Sequence, residues 1–111
     1  DASLIVDWLE TLDEDSFAQV SAALLLLERV GPQLGRPLVD SVNGSRHKNM
    51  KELRPGSSGR SELRILFMFD PRRRAIMLVA GDKTNAWNSW YRRNIPLAED
   101  LYEKYLLEIE N

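Results

Sequence analysis

Apolar residues recur at helical spacing near the start of the chain, where Leu4, Ile5, Trp8, Leu9 and Leu12 follow Ser3, a candidate N-cap. Asp13 to Asp15 then offer acidic capping for a second helix. Its stripe of Phe17, Val20, Leu24, Leu27 and Val30 runs up to Gly31-Pro32, which stops it. The two helices are expected to form an antiparallel hairpin. Residues 33–45 contain Gly35, Pro37 and Gly44 and read as a loop with a short turn.

The period then changes. Met50 to Arg54 reads as a short strand with imperfect alternation, and Pro55-Gly56-Ser57-Ser58-Gly59 is turn chemistry. Leu63, Ile65, Phe67 and Phe69 alternate against Glu62, Arg64, Leu66 and Met68, the clearest strand of the chain. Asp70 to Arg74 closes a hairpin. Ala75 to Ala80 is a nearly continuous apolar run, the pattern of a central strand covered on both faces. After Gly81-Asp82-Lys83 leave the sheet, Thr84 and Asn85 are candidate caps for a short helix through Trp87 and Tyr91, interrupted at Ile95-Pro96. A last helix carries Leu97, Leu101, Tyr105 and Ile109 on a broad stripe. The expected fold is α+β: an N-terminal helical hairpin packed on a small antiparallel sheet, a three-strand meander, followed by C-terminal helices. At 111 residues the chain is expected to be a single domain with one core.

Composition narrows the chemistry. There is no cysteine, which excludes disulfides and thiolate chemistry, and one histidine argues against a structural zinc site. No cofactor or metal is expected. No apolar run approaches the roughly 20 residues that span a bilayer, so the chain reads as soluble and cytosolic. The net charge of -2 conceals a segregation. Residues 1–35 carry seven acids and one base, residues 36–93 thirteen bases and five acids, and residues 94–111 five acids and one base. A local field, rather than the total charge, is what attracts a polyanion.

In that basic centre Lys51, Arg54, Arg60, Arg64 and Lys83 lie on or beside successive strands. They could converge on one end or face of the sheet to bind nucleic acid, or form an ordinary solvated face. Arg72 to Arg74 sit at a hairpin tip and read as a solubilising turn. Arg64 is more informative, because a guanidinium inside an apolar strand is costly without a partner. That partner is either Glu52 or Glu62, or a ligand. Arg54 and Arg64 together could clamp a phosphate by bidentate hydrogen bonds. His47 lies in a polar loop and is either a generic surface residue or a proton carrier. Trp87, Trp90 and Tyr91 follow Lys83; at least one Trp is expected to pack, leaving Tyr91 as the residue available to stack on a base.

No Ser-His-Asp, paired-carboxylate or Gly-rich phosphate-loop arrangement is present, so nucleophilic hydrolysis and nucleotide triphosphate binding lack support. RNA, however, carries its own nucleophile. A protein need only align the 2′-hydroxyl, stabilise the phosphorane and move protons, which arginines and a lysine can assist.

The residues Glu52-Leu53-Arg54, Arg64-Ile65-Leu66-Phe67, the strand Ala75 to Ala80 and Gly81-Asp82-Lys83-Thr84, in that order and spacing, make the chain resemble the RelE/ParE toxin superfamily, specifically the phage-derived Gp49-like HigB toxins. The resemblance covers most of residues 4–110. It implies the toxin component of a type II toxin-antitoxin system, a ribosome-associated endoribonuclease that cleaves mRNA and is neutralised by a helix-turn-helix, HigA-like antitoxin in a toxin-antitoxin hetero-oligomer. It also implies phosphate-binding roles for Arg54 and Arg64 and a catalytic or phosphate role for Lys83, while charge and placement make Lys51, Arg60, Tyr91 and His47 the candidate supporting RNA contacts. The family begins with a strand before helix 1, whereas this sequence starts at Asp1, so that strand is expected to be absent. A ParE-like topoisomerase poison and an inactive antitoxin-binding partner are the alternatives the resemblance leaves open.

Overall fold

The computed structural model describes residues 1–56 and 62–110. Its centre is a four-stranded antiparallel sheet in sequence order: β1 (Val39–Ser41), β2 (Lys51–Leu53), β3 (Leu63–Phe69) and β4 (Ala75–Asp82). Helices α1 (Val6–Glu10) and α2 (Glu14–Val30) cover one face, and α3 (Trp87–Ile109) covers the other. The α+β meander expected from the sequence is present, with one strand more than expected. β1 lies inside the stretch read as a loop, because a three-residue strand between Pro37 and Gly44 leaves almost no periodic signal.

Two apolar clusters explain the layering. On the α1/α2 side, Ile5, Val20, Ala23 and Leu27 pack on Val39, Leu53, Ile65, Phe67 and Met77. On the α3 side, Trp90, Ile95, Ala98 and Tyr102 pack on Met50, Leu66, Met68, Ile76, Leu78 and Val79. β3 is therefore buried on both faces. The pairing of β3 with β4 shifts between Leu66 and Phe67: Leu66 faces Val79 and Phe67 faces Met77, leaving Leu78 as an extra residue. That bulge places both Leu78 and Val79 in the α3 cluster and accounts for the unbroken apolar run of β4.

Several helix signals resolve differently from expectation. Ser3 is not the cap of helix 1. Residues Ser3–Ile5 form a 3-10 turn, and Ile5 precedes α1 without a side-chain cap. Asp13 caps α2, its carboxylate accepting from the Ser16 N–H at 3.4 Å, and Gly31 ends the helix at φ 74°. The buried stripe of α2 is Ser16, Val20, Ala23 and Leu27, while Phe17 and Val30 are exposed. The two expected C-terminal helices are one helix that runs through Pro96. A proline inside a helix costs about 3 kcal/mol. Burial of Trp90 and Ile95 before it and Ala98 and Tyr102 after it on one sheet face offsets that cost. Thr84 and Asn85 do not cap α3; Ala86 precedes it without a side-chain cap, and the Thr84 N–H binds Asp82. Among the described residues no strand precedes α1, and Asp1 lies against the outer edge of β4, its carbonyl accepting from the Met77 N–H at 2.9 Å. No described helix is long and apolar enough to cross a membrane.

Candidate functional site

The β1–β2 register sets Asp40 opposite Glu52, and strand alternation sends both side chains to the α3 face. Leu53 on the opposite face is core, and Arg54 follows it. Glu52 is only 3% exposed, so its carboxylate must be satisfied inside the protein. Three donors satisfy it. Arg54 donates from Nε at 2.8 Å and approaches with Nη2 at 2.7 Å, both to Oε1, and the Tyr91 hydroxyl donates to Oε2 at 2.6 Å. Arg54 Nη2 also lies 3.2 Å from Asp40, so one guanidinium joins two carboxylates. Burial opposes the Arg54 charge, but its contacts with Glu52 and Asp40 more than compensate and raise its pKa above the ordinary arginine value. Burial and the Glu52 contact push the Tyr91 phenol up to about 12, so it is a neutral donor.

Lys83 enters where β4 ends. Its N–H binds the Glu62 carbonyl at 3.0 Å, and its ammonium is 3.6 Å from the ring centroid of Trp87 and 5.1 Å from that of Tyr91. The residue is 3% exposed. Burial first, and then the Arg64 charge, lower its pKa from the usual lysine value. Arg64, opposite Gly81 on β3, donates from Nη1 to the Leu63 carbonyl at 2.7 Å and from Nη2 to Glu62 at 3.1 Å. Among the described residues its Nε is the one buried side-chain nitrogen or oxygen without a hydrogen-bond partner. A buried donor left unmade in this way is costly.

Asp40, Glu52, Arg54, Lys83, Asn88 and Tyr91 line a cavity of about 430 Å³ between the β1–β2 edge and the start of α3. Trp90 fixes that start. Its indole fills the space beside Gly81, where an added Cβ would lie 2.7 Å from Nε1. Of the residues expected from the sequence, Arg54, Arg64, Lys83 and Tyr91 are brought together. Lys51 is not among them: alternation turns it to the opposite face from Glu52, where Nζ donates to Ser41 at 3.2 Å. His47 lies in a separate network, with Nε2 2.7 Å from Glu103 and its ring edge-on to Tyr102. The neighbouring Arg46 binds Glu99, Asp100 and Glu103 and ties the β1–β2 loop to α3. Arg74 is engaged at the β3–β4 turn by Asp70 and Tyr105. Arg60 lies outside the described residues. Among the described residues no three His, Asp or Glu side chains group as metal ligands.

A family model described as phage derived protein Gp49-like matches residues 7–103. The chain belongs to this Gp49-like family. It is similar to a protein of Mycobacterium tuberculosis (strain ATCC 25618 / H37Rv) named "Putative toxin HigB2", 54% identical over 111 residues, which are 100% of this chain and 55% of that protein. It is also similar to "Putative toxin HigB3" of the same organism, 50% identical over 99 residues, 89% of this chain and 84% of that protein. The chain thus spans about half the length of the first relative and most of the second. No solved structure matches it significantly.

The Gp49-like match contains every residue of the cluster. Three of these carried little sequence signal as site residues. Glu52 reads as a possible ion-pair partner until Tyr91 is seen to reach it from 39 positions away. Asp40 sits on the strand that reads as loop, and Trp87, at 56% exposure, proves to be the exposed member of the Trp87–Trp90 pair. The arrangement can do two things chemically. It gathers two guanidinium groups for an anion, and it holds a buried carboxylate and a lysine of lowered pKa beside them, which can accept and donate protons.

Proposed function

We propose that this Gp49-like chain is the toxin of a type II toxin-antitoxin system and cleaves mRNA on the ribosome without a metal. The observation that carries this reading is that Arg54 and Lys83 line one cavity with the Glu52 carboxylate, with the Arg64 charge close enough to lower the Lys83 pKa. The names of the two mycobacterial relatives support the toxin role. In the reaction, the 2′-oxygen attacks the adjacent phosphorus while the bond to the 5′-oxygen breaks. The products are a 2′,3′-cyclic phosphate and a 5′-hydroxyl. Arg54 and Arg64 balance the charge that develops on the phosphorane. Glu52 takes the 2′-hydroxyl proton, and Lys83, whose lowered pKa brings it closer to working pH, gives a proton to the departing 5′-oxygen. The partner is a helix-turn-helix antitoxin, and the site of action is the cytoplasm.

Expression of the chain with and without a neighbouring helix-turn-helix protein tests the reading. It predicts growth arrest and mRNA fragmentation on expression alone, with both relieved by the partner. DNA damage with intact mRNA would favour a topoisomerase poison instead, and unaffected growth would contradict a toxin role.

A further inference from the structure

Trp87 and Trp90 stand three residues apart and have opposite fates: Trp90 is 4% exposed in the core, whereas Trp87 is 56% exposed at the first position of α3. A large aromatic left in solvent forgoes burial, so its role must be sought in what it touches. One face of the Trp87 indole is covered by the Lys83 ammonium at 3.6 Å. That same ammonium lies 5.1 Å from the Tyr91 ring, and both Lys83 and Tyr91 line the cavity of the cationic cluster. Trp87 is therefore one side chain away from the cluster, with its ring oriented by the cation beneath it.

We propose that the face of Trp87 turned away from Lys83 is a nucleobase subsite, on which an unpaired base of single-stranded RNA stacks. The subsite rests on the RNA-cleaving reading above and adds to it a specific binding determinant. A cation below and a base above suit an indole, whose π-faces attract both. Tyr91, the residue expected from the sequence to stack, is committed elsewhere: its hydroxyl is held by Glu52 and its ring stands edge-on to Trp90 at 5.2 Å. A base within a duplex cannot offer its face, so the subsite takes unpaired nucleotides. Stacking of this kind is sequence-tolerant, which suits an enzyme whose phosphate contacts carry no base identity.

The test is equilibrium binding of a labelled 2′-O-methyl oligoribonucleotide, which lacks the attacking hydroxyl and so reports affinity without cleavage. Wild type, Trp87→Ala and Trp87→Phe are compared against the same oligonucleotide carrying an abasic position moved along its length. Trp87→Ala is expected to weaken binding about 5- to 100-fold, and Trp87→Phe by less. One abasic position should weaken wild-type binding by a similar factor and have no further effect in Trp87→Ala. Loss of that non-additivity, or unchanged affinity in Trp87→Ala while wild type binds, would overturn the subsite alone. Failure of wild type to bind any single-stranded RNA would overturn the RNA-cleaving reading, and the subsite with it. Circular dichroism of both variants should match wild type, because the substituted side chain is exposed.

Discussion

The Tyr91 hydroxyl donates a 2.6 Å hydrogen bond to the Glu52 carboxylate, tying the N-terminal part of α3 to β2 across the cavity. Glu52 is thereby held from two sides, by Tyr91 through one oxygen and by Arg54 through the other. Tyr91→Phe removes one donor from a buried carboxylate and should destabilise the fold by about 1–3 kcal/mol. A denaturant titration reads that loss. RNA cleavage by the same variant should fall more steeply than stability does, because Glu52 and Arg54 lose their shared anchor.

Arg64 is expected to be the least replaceable cation. Arg64→Ala should lower cleavage by about 100- to 1000-fold, the scale seen when a single donor to a developing oxyanion is removed. Arg64→Lys should not restore it, since a lysine lacks the planar fork that reaches Leu63, Glu62 and a phosphate together. Single-turnover rates on a short RNA separate the two variants from wild type.

Lys83 should reveal a conflict between stability and activity. Its pKa is lower in the folded protein than the ordinary 10.5, so keeping the ammonium charged costs stability throughout the range below the folded pKa. As pH rises through the folded pKa the cost is relieved, and it is gone above the unfolded value. Lys83→Met should therefore be more stable than wild type at neutral pH, with the difference shrinking as pH approaches 10.5. The variant should be inactive. Wild-type cleavage should fall with rising pH earlier than an ordinary lysine would dictate, and Lys83→Arg should abolish that alkaline limb. Paired stability and pH–rate profiles check both statements.

Asp70 organises the β3–β4 turn, accepting from the N–H groups of Arg72 and Arg74, from Arg74 Nε at 3.0 Å and from the Tyr105 hydroxyl at 2.8 Å. Burial opposes its charge, but these donors hold its pKa below the ordinary carboxylate value. A depressed folded pKa contributes stability that is present above the unfolded pKa, about 3.9, and lost as pH falls through the folded one. Asp70→Asn should thus be less stable than wild type at neutral pH, and the two should converge under strong acid. Thermal melts from neutral to strongly acid pH measure the convergence.

Gly81→Ala would set a Cβ 2.7 Å from the Trp90 indole nitrogen. Overpacking of this kind costs about 1–3 kcal/mol. Because Trp90 seats the start of α3, the shift should propagate to Tyr91 and lower cleavage. A crystal structure of the variant should show the indole displaced.

The sequence made the meander legible because β3 and β4 carry strong periodic or continuous apolar patterns, and the Asp13 cap and Gly31 stop bracket α2 without ambiguity. What escaped it depends on distant contacts. β1 is visible only through its pairing with β2, and Pro96 reads as a break until the sheet face that buries Trp90, Ile95, Ala98 and Tyr102 is in place. At the site, the cations Arg54, Arg64 and Lys83 announced themselves by charge on strands. Lys51 could not be separated from them until the register fixed which face each residue takes. Asp40, Glu52 and Trp87 required the fold, since a carboxylate satisfied from 39 positions away and an indole bound to a lysine have no local signature.

The central claim is that the Arg54, Arg64, Lys83 and Glu52 cluster cleaves RNA through its own 2′-hydroxyl. Its most direct test is to map the RNA ends made on translating ribosomes by wild type and by Arg64→Ala. New cleavage sites bearing 2′,3′-cyclic phosphates, made by wild type and lost in Arg64→Ala, are the predicted result. No cleavage by wild type, ends bearing a 3′-hydroxyl and a 5′-phosphate, or ends unchanged in Arg64→Ala would contradict it.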